Sequence, residues 1–579
     1  MGRIKKFNKG YYHRRKTTNT NACTPESNPS TSKNDNVECM STPSSASKKK
    51  LNYIEQNDEN FSVDFNFNSS GFIIVNLDML TRLVQSFVKC KNCDSLKSIE
   101  VCEKIDSRRG LASKIYLNCK VCEKNASSMT SKLVSGNYEV NLRFAYALRC
   151  IGRGQKAAQT FCGLMNLPPP PTKFLPLYRT ILEPLKEVCE VSMKSAAEEA
   201  VILNNNCKDI TAAFDASWQK RGHTSLNGVI TGTALDNGKV IDVECLTKFC
   251  KNCNSGVEHE CAKNYEGYSG GMECEGVLTM YKRSEDFHNG VRYINYLGDG
   301  DSKGFLKVSG SNVYGHDIKI SKMECCGHVQ KRMGARLRKL RKEKKNVKLS
   351  DGKPLSGRGR LTDAEINLLQ NYYGQSIRRH AGENNVDMMR KDIWATYFHK
   401  LSKDDKPQHG LCPKGVDSWC GFQKAAATGT TYTHKHCLPE AVMLQIKPIF
   451  RDLSDRNLLN RCLHGRTQNP NESFNHCIWA RIPKTVFVGI ETLKFGVLDS
   501  VICFNDGTMK RGEVFRKIGL EPGNNFQSAF RKIDRQRIIE AEKHVEVLSK
   551  QARLTMRAQK RKREDEESER CEEYGPGMF

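Results

Sequence analysis

The sequence predicts a mixed α/β fold, and three stretches lead to that prediction. DITAAFDASW, residues 209–218, is apolar with one acid, Asp215, inside it. LNGVITGTALDNGKVIDVECLTKF is two strand-like runs about the turn signal Asp236-Asn237-Gly238, the pattern of a hairpin. RYINYLGDGDSKGF opens with Tyr293, Ile294, Tyr296 and Leu297, the aromatic and β-branched bias of a strand, and ends in Asp299 and Asp301 with a glycine between them. A strand that stops in two acids brings carboxylates to a sheet edge.

Composition bounds what the rest can be. The 579 residues are long enough for several domains, and no run of 18 apolar residues would span a membrane. Lys plus Arg outnumber Asp plus Glu by 92 to 65, a formal charge of +27, which favours a polyanionic partner, nucleic acid first. MGRIKKFNKGYYHRRK has no apolar core of a signal peptide, so the 25 cysteines belong to a reducing compartment, where pairs two apart suggest zinc rather than disulfides. A nuclear location fits all of this.

Residues 1–65 are rich in Lys, Ser, Thr and Asn and read as a disordered basic tail. In 66–135, Cys90 and Cys93 are matched by Cys119 and Cys122, the second pair preceded by the strand-like SKIYLN. That is the layout of a zinc ribbon, with Cys102 as a substitute ligand. Residues 136–207 turn helical: VNLRFAYALRCIG, then GQKAAQTFCGLMNL, a break at PPPP, then LYRTILEPLKEVCEVSMKSAAEEAVIL. The first two, joined through Gly152 and Gly154, are either a helix-turn-helix reading a groove or core packing.

In 208–345, Gly271 to Phe287 is helix-like, DIKISKMECC reads as a strand, and HVQKRMGARLRKLRKEKK is a strongly basic helix. Three strands, a helix, a strand, a helix and a strand are the succession of a ribonuclease H-like α/β core, in which Asp215 lies beside the acids after the fourth strand. Cys250, Cys253, His259 and Cys261 form a second zinc knuckle, with Cys274 as the spare ligand. Glu273 and Glu275 lie near the supposed site and read as solvent-facing charge. Residues 346–455 are a helical insertion before the last acid, containing LTDAEINLLQNYYGQSIRRH, with Thr362 and Glu365 placed as a capping box, and MMRKDIWATYFHKL. His409, Cys412 and Cys420 suggest a third zinc, with His399, His434, His436 or Cys437 as the fourth ligand. Arg378, Arg379 and the basic residues from Arg336 to Lys345 are candidates for phosphate contacts.

Residues 456–510 bring the last acid. In CLHGRTQNPNESFNHCIWARIPKTVF, Pro470 marks a helix start, so Glu472 sits in its first turn and can lie across the same sheet edge, with His476 one turn on. Three carboxylates there would hold two magnesium or manganese ions, about 4 Å apart, for phosphodiester chemistry. Residues 511–579 are a basic helical tail in which RAQKRKRE reads as a nuclear-entry signal or a DNA-backbone contact.

FDASWQKRG, GGMECEG, YLGDGDSK, CCGHVQKRMG, LCPKGVDSWC and CLHGRTQNPNESFN together resemble the Mutator-like transposase domain of the DDE group, over roughly Phe72 to Asp506. The resemblance implies a metal-dependent DNA transposase that cleaves strands at transposon ends and transfers them to target DNA. Its site would be Asp215, Asp299 or Asp301, and Glu472, with a Cys-x-x-His matched by Cys325 and His328, where Cys326 makes the assignment ambiguous. It further implies terminal-repeat and target DNA as partners and a homo-oligomer. The alternative is a transposon-derived, zinc-containing DNA-binding protein without catalysis.

Overall fold

A computed structural model describes residues 45–51, 71–220, 224–253, 258–300, 303–434 and 437–545. The chain is mixed α/β, built around one five-stranded sheet. Its strands are β6 (Asp209–Trp218), β7 (Asn227–Ala234), β8 (Val240–Thr247), β9 (Arg292–Gly298) and β10 (Ser321–Glu324), in the order β10-β9-β6-β7-β8. β6, β7 and β8 pair antiparallel through the expected hairpin, and β9 and β10 continue parallel to β6.

Every residue of β7 is buried, because both faces of the sheet are covered. Side chains alternate across a strand, so the neighbours Val229 and Ile230 enter different cores, as do Val240 and Ile241. One core is closed by α6 (Gly271–Phe287) through Val277 and Tyr281. The other is closed by α5 (Leu175–Leu203), α14 (Asn469–Arg481) and α15 (Ile490–Asp506). The helix between the fourth and fifth strands is short, α7 (Lys303–Gly310), and the fifth strand takes only SKME, Ser321–Glu324, out of DIKISKMECC.

α8 (Cys326–Glu343) follows. Its Val329, Met333 and Leu337 recur every fourth residue and are fully buried, facing the helices that follow. α9 (Asp363–Arg379), α10 (Val386–Leu401), α11 (Gly421–Thr428) and α12 (Glu440–Leu453) lie within 346–455, the stretch expected to be a helical insertion, and α13 (Arg456–Asn460) just beyond it; four of the five share one core. The Thr362 hydroxyl accepts from the Glu365 amide at 3.3 Å as a capping box requires, but the Glu365 carboxylate pairs with buried Lys400 at 2.8 Å. The basic stretch of α8 is partly spent on holding these helices: Arg338 donates to Asn367, Arg341 to Asp363, and Lys344 to Gln445. Lys339, Lys342 and Lys345 stay exposed.

The N-terminal module is a three-stranded sheet, β1 (Ile99–Arg109), β2 (Ala112–Cys119) and β3 (Asn125–Met129), with α2 (Leu77–Phe87) beside β1. A small hairpin of β4 (Leu133–Val134) and β5 (Asn137–Tyr138) leads into α3 (Glu139–Cys150) and α4 (Gln155–Leu164). α3 buries Leu142, Ala145 and Tyr146 in the main core, so it packs as a core helix. At the α3–α4 bend, Gly152 has φ +70° and a Cβ there would meet the Ala480 carbonyl at 2.2 Å, so no other residue fits.

Within the stretch expected to be disordered, Ala46–Lys50 forms α1, capped by Ser45, with Leu51 buried on Ile538. Apolar burial and the Lys50 ammonium over the Phe504 ring, 3.5 Å from its centroid, order this turn. The rest of residues 1–65 lies outside the described residues. α16 (Arg511–Lys517) joins the main core through Val514 and Phe515, and α17 (Gly523–Val545) packs on α1. RAQKRKRE lies outside the described residues. Among the described residues, no helix is long and apolar enough to cross a membrane.

Candidate active site and metal centres

Asp215 lies near the end of β6, and Asp299 immediately follows β9. The parallel pairing runs to Ala213↔Leu297, so each acid stands two residues beyond the last pair, at the same edge. Asp299 is well exposed and its Oδ1 accepts from the Gly300 amide at 2.5 Å. Asp301 lies outside the described residues.

Glu472 reaches that edge because α14 is fastened across β6 by a row of polar side chains. Gln468 Nε2 donates to the Phe214 carbonyl at 2.6 Å. Buried Asn471 Nδ2 donates to the Ala213 carbonyl at 3.0 Å and its Oδ1 accepts from Thr233 at 2.6 Å. Asn475 Nδ2 donates to Asp215 Oδ2 at 2.7 Å, and Trp479 Nε1 to Ser217 Oγ at 2.7 Å. These positions, three, four and four apart, trace one helix face. Pro470 opens the helix, Glu472 is in its first turn on an exposed side, and His476 is exposed further on. The Pro470 helix start and the resemblance both single out Glu472; the residues that position it were missed. The signal was present in the density of Asn and Gln through QNPNESFN, too many polar amides for an ordinary amphipathic helix.

The acids feel one another. Burial first, then repulsion from Glu472 and Asp299, raises the Asp215 carboxyl to about 6 against the pull of His328. Two cations and an imidazole from α8 answer this charge: Lys331 Nζ is 3.3 Å and His328 Nε2 3.5 Å from Glu472 Oε1, and Arg332, bonded to buried Glu324 at 2.7 Å, stands 4.0 Å from Asp299. Cys325 and His328 join no metal-binding group among the described residues. They tie α8 to α14 instead. The Gln468 amide donates to Cys325 Sγ at 3.3 Å, and the Cys325 thiol raises the pKa of His328, which faces Glu472. Buried Cys326 turns away, its Sγ directed to the Cys462 carbonyl at 3.4 Å. Glu275 pairs with Lys307, Arg379 with Asp392, and Arg378 donates to Gln330 at 2.8 Å.

Carboxylates are hard oxygen donors suited to magnesium or manganese, and the like-charge repulsion on Asp215 is what a bound cation relieves, so the residues fit that group. Their oxygens are not all within 4.8 Å of one another among the described acids.

Three other groups do draw that close: Cys90, Cys93, Cys119 and Cys122; Cys250, Cys253, His259 and Cys261; and His399, His409, Cys412 and Cys420. Tetrahedral zinc, with its usual bond lengths, sets ligand edges of about 3.8 Å between sulfurs, about 3.6 Å between sulfur and nitrogen and about 3.3 Å between nitrogens. In the first group Cys90–Cys122 is 3.6 Å and Cys93–Cys119 3.7 Å. In the second, His259 Nε2 is 3.3 Å from Cys250 and 3.7 Å from Cys253, which is 3.4 Å from Cys261. All are compatible with zinc. Cys102, Cys274 and Cys437 stand outside these groups, and His436 lies outside the described residues.

No curated protein matches the chain. Residues 71–420, more than half of its length, match the family described as Mutator-like transposase, a span that contains Asp215, Asp299, Asp301 and all three cysteine groups and stops before Glu472. The chain belongs to the Mutator-like transposase family.

Proposed function

We propose that this protein is a DDE-type DNA transposase with a ribonuclease H-like core, cleaving strands at transposon ends and joining the exposed 3′-hydroxyl to target DNA. One observation carries the reading: a helix otherwise remote in sequence is bonded side chain by side chain across β6, so that Glu472 faces the edge bearing Asp215 and Asp299. The sheet order β10-β9-β6-β7-β8, with three antiparallel strands and two parallel ones, supports the fold assignment.

Bound magnesium or manganese ions would activate the attacking water or hydroxyl and stabilise the leaving oxygen. The chain's own part is placement and charge. Asn475 fixes the Asp215 carboxylate, while Lys331 and His328 hold Glu472. Lys339, Lys342 and Lys345, with the chain's net charge of +27, favour the phosphate backbone of double-stranded DNA, a contribution that weakens steeply with salt. Either Asp299 or Asp301 supplies the second acid. The Cys90 and Cys250 groups hold structural zinc that orders modules with little core of their own. The enzyme works in the nucleus as a homo-oligomer, since two transposon ends must be joined.

The test is cleavage of a labelled duplex carrying the terminal repeats that flank the gene, with magnesium or manganese, comparing wild type with Glu472→Gln. Cleavage by wild type alone is expected. Salt-sensitive binding without cleavage by either would replace the reading with a transposon-derived DNA-binding protein.

A further inference from the structure

The insertion's His/Cys group has an ordered outer shell that the catalytic reading does not use. His399 comes from the last turn of α10, His409 and Cys412 from the loop after it, and Cys420 from the cap of α11. His409, Cys412 and Cys420 are buried. The Nδ1 atoms of His399 and His409 are 3.3 Å apart. Cys420 Sγ is 3.6 and 3.4 Å from them, and Cys412 Sγ 3.9 and 3.7 Å. These are the edges of a two-thiolate, two-imidazole zinc tetrahedron, about 3.3 Å between nitrogens and about 3.6 Å between nitrogen and sulfur.

The far side of His409 points away from the thiols. Its Nε2 is 2.8 Å from His434 Nε2 and 2.8 Å from Ser402 Oγ, and His434 Nδ1 is 2.6 Å from Asp404 Oδ1. Ser402 Oγ is also 2.9 Å from His434 Nε2, so it can bridge the two rings, and the same ring states follow whether the contact is direct or through that hydroxyl. With Nδ1 of His409 on a metal, its neutral ring carries the proton on Nε2, which donates to an unprotonated His434 Nε2; His434 then carries its proton on Nδ1 and donates it to the Asp404 carboxylate. The His434 side chain is 6% exposed and the Asp404 side chain 57%, so the row runs from the buried centre to the surface. His434, a fourth-ligand candidate by sequence, is occupied one shell out.

We propose that His399, His409, Cys412 and Cys420 bind a structural zinc ion, and that His434 and Asp404 are positioning residues that fix the tautomer and ring orientation of His409. Binding displaces the two thiol protons to solvent and leaves both imidazoles neutral. The ion pins the 402–420 loop to the end of α10, where a long connection has little regular structure to hold it. Outer partners of this kind are worth about 10- to 100-fold in metal affinity.

The experiment uses the full chain and zinc alone. Zinc per chain is measured by mass spectrometry of the metal for wild type, His399→Ala, His434→Ala and Asp404→Asn, followed by the rate of zinc loss to a chelator. His399→Ala is expected to carry one equivalent fewer than wild type. The other two are expected to keep the full complement but release one equivalent about 10- to 100-fold faster. Equal zinc in wild type and His399→Ala, or loss of an equivalent in His434→Ala with retention in His399→Ala, would overturn the assignment. Should the ligand variants not fold, peptide-resolved alkylation of the wild type decides: Cys412 and Cys420 are expected to react only after chelation, and labelling unchanged by the chelator overturns the site. DNA cleavage is not read, so this outcome is independent of the transposase reading.

Discussion

Asp215 and Asp499 are both acids withdrawn from water, and their surroundings differ in kind. Asp499, on α15, is 1% exposed and accepts four close hydrogen bonds: from Tyr146 at 2.9 Å, from Arg481 at 2.5 Å, and from two nitrogens of Arg511 at 2.8 and 2.7 Å. Against the cost of burial, the two guanidinium groups hold its carboxyl far below the usual range. Asp215 receives one side-chain hydrogen bond among the described residues, from a neutral amide, and its nearest charged neighbours include two more acids. Its carboxyl is pushed the other way. A buried acid whose lone pairs are filled by cations is a rivet between elements, here joining α3, α14, α15 and α16. A withdrawn acid that shares its sheet edge with two other acids is, on the proposed function, where a metal cation would bind.

The largest effect that tests this contrast is on stability at Asp499. Asp499→Asn leaves Arg481 and Arg511 buried with their charge uncompensated, at an expected cost of about 3–5 kcal/mol in urea unfolding. A loss below about 1 kcal/mol would show that the two guanidinium groups find water, and the rivet reading would fail.

Acid sharpens the same point. Because the folded-state pKa of Asp499 is depressed, its contribution is fully present above the unfolded value of about 3.9 and is lost as pH falls toward the folded one. The stability gap between wild type and Asp499→Asn is therefore expected to be flat from pH 7 to 5, then to narrow by up to about 1.4 kcal/mol per pH unit below about pH 4. A gap that narrows between pH 7 and 5 would assign the dependence to another group.

These two acids also measure what was legible in the chain. The strands around Asp215 were readable because apolar runs, β-branched and aromatic bias and an Asp-Asn-Gly turn are local signals, and β6, β7, β8 and β9 fall on the stretches that showed them. Pro470 likewise located the start of the helix bearing Glu472. The fastening of that helix was not readable, because Asn471 and Asn475 bond to residues some 240 to 260 positions away. Asp499 was passed over for the same reason, although an acid inside the apolar run FGVLDSVICF signals a buried partner. For the insertion's zinc group, spacing gave three ligands and left four candidates for the fourth. Only the fold separates His399, one of the four converging ligand atoms, from His434, which contacts His409 from outside them.

A smaller effect is expected where α14 meets Asp215. Asn475→Ala removes one hydrogen bond to the acid, worth about 1 kcal/mol in unfolding. Since it also frees the Asp215 carboxylate to turn, DNA cleavage is expected to fall more than tenfold at unchanged DNA affinity. Full cleavage activity in this variant would mean that Asp215 needs no positioning from the helix.

The smallest stability change, and the sharpest break between the two acids, belongs to Asp215→Asn. The amide oxygen still accepts from Asn475, while the substitution removes the burial cost of a charge and its repulsion from Glu472 and Asp299. Stability is expected to stay within about 0.5 kcal/mol of wild type. Strand cleavage with magnesium or manganese is expected to vanish, and salt-sensitive DNA binding to persist, since binding rests on lysines and arginines elsewhere. Stability measured by urea and cleavage of the labelled duplex are read on the same preparation. Loss of several kcal/mol would make Asp215 a structural acid like Asp499; retained cleavage would remove it from the catalytic set and with it the assignment of this sheet edge.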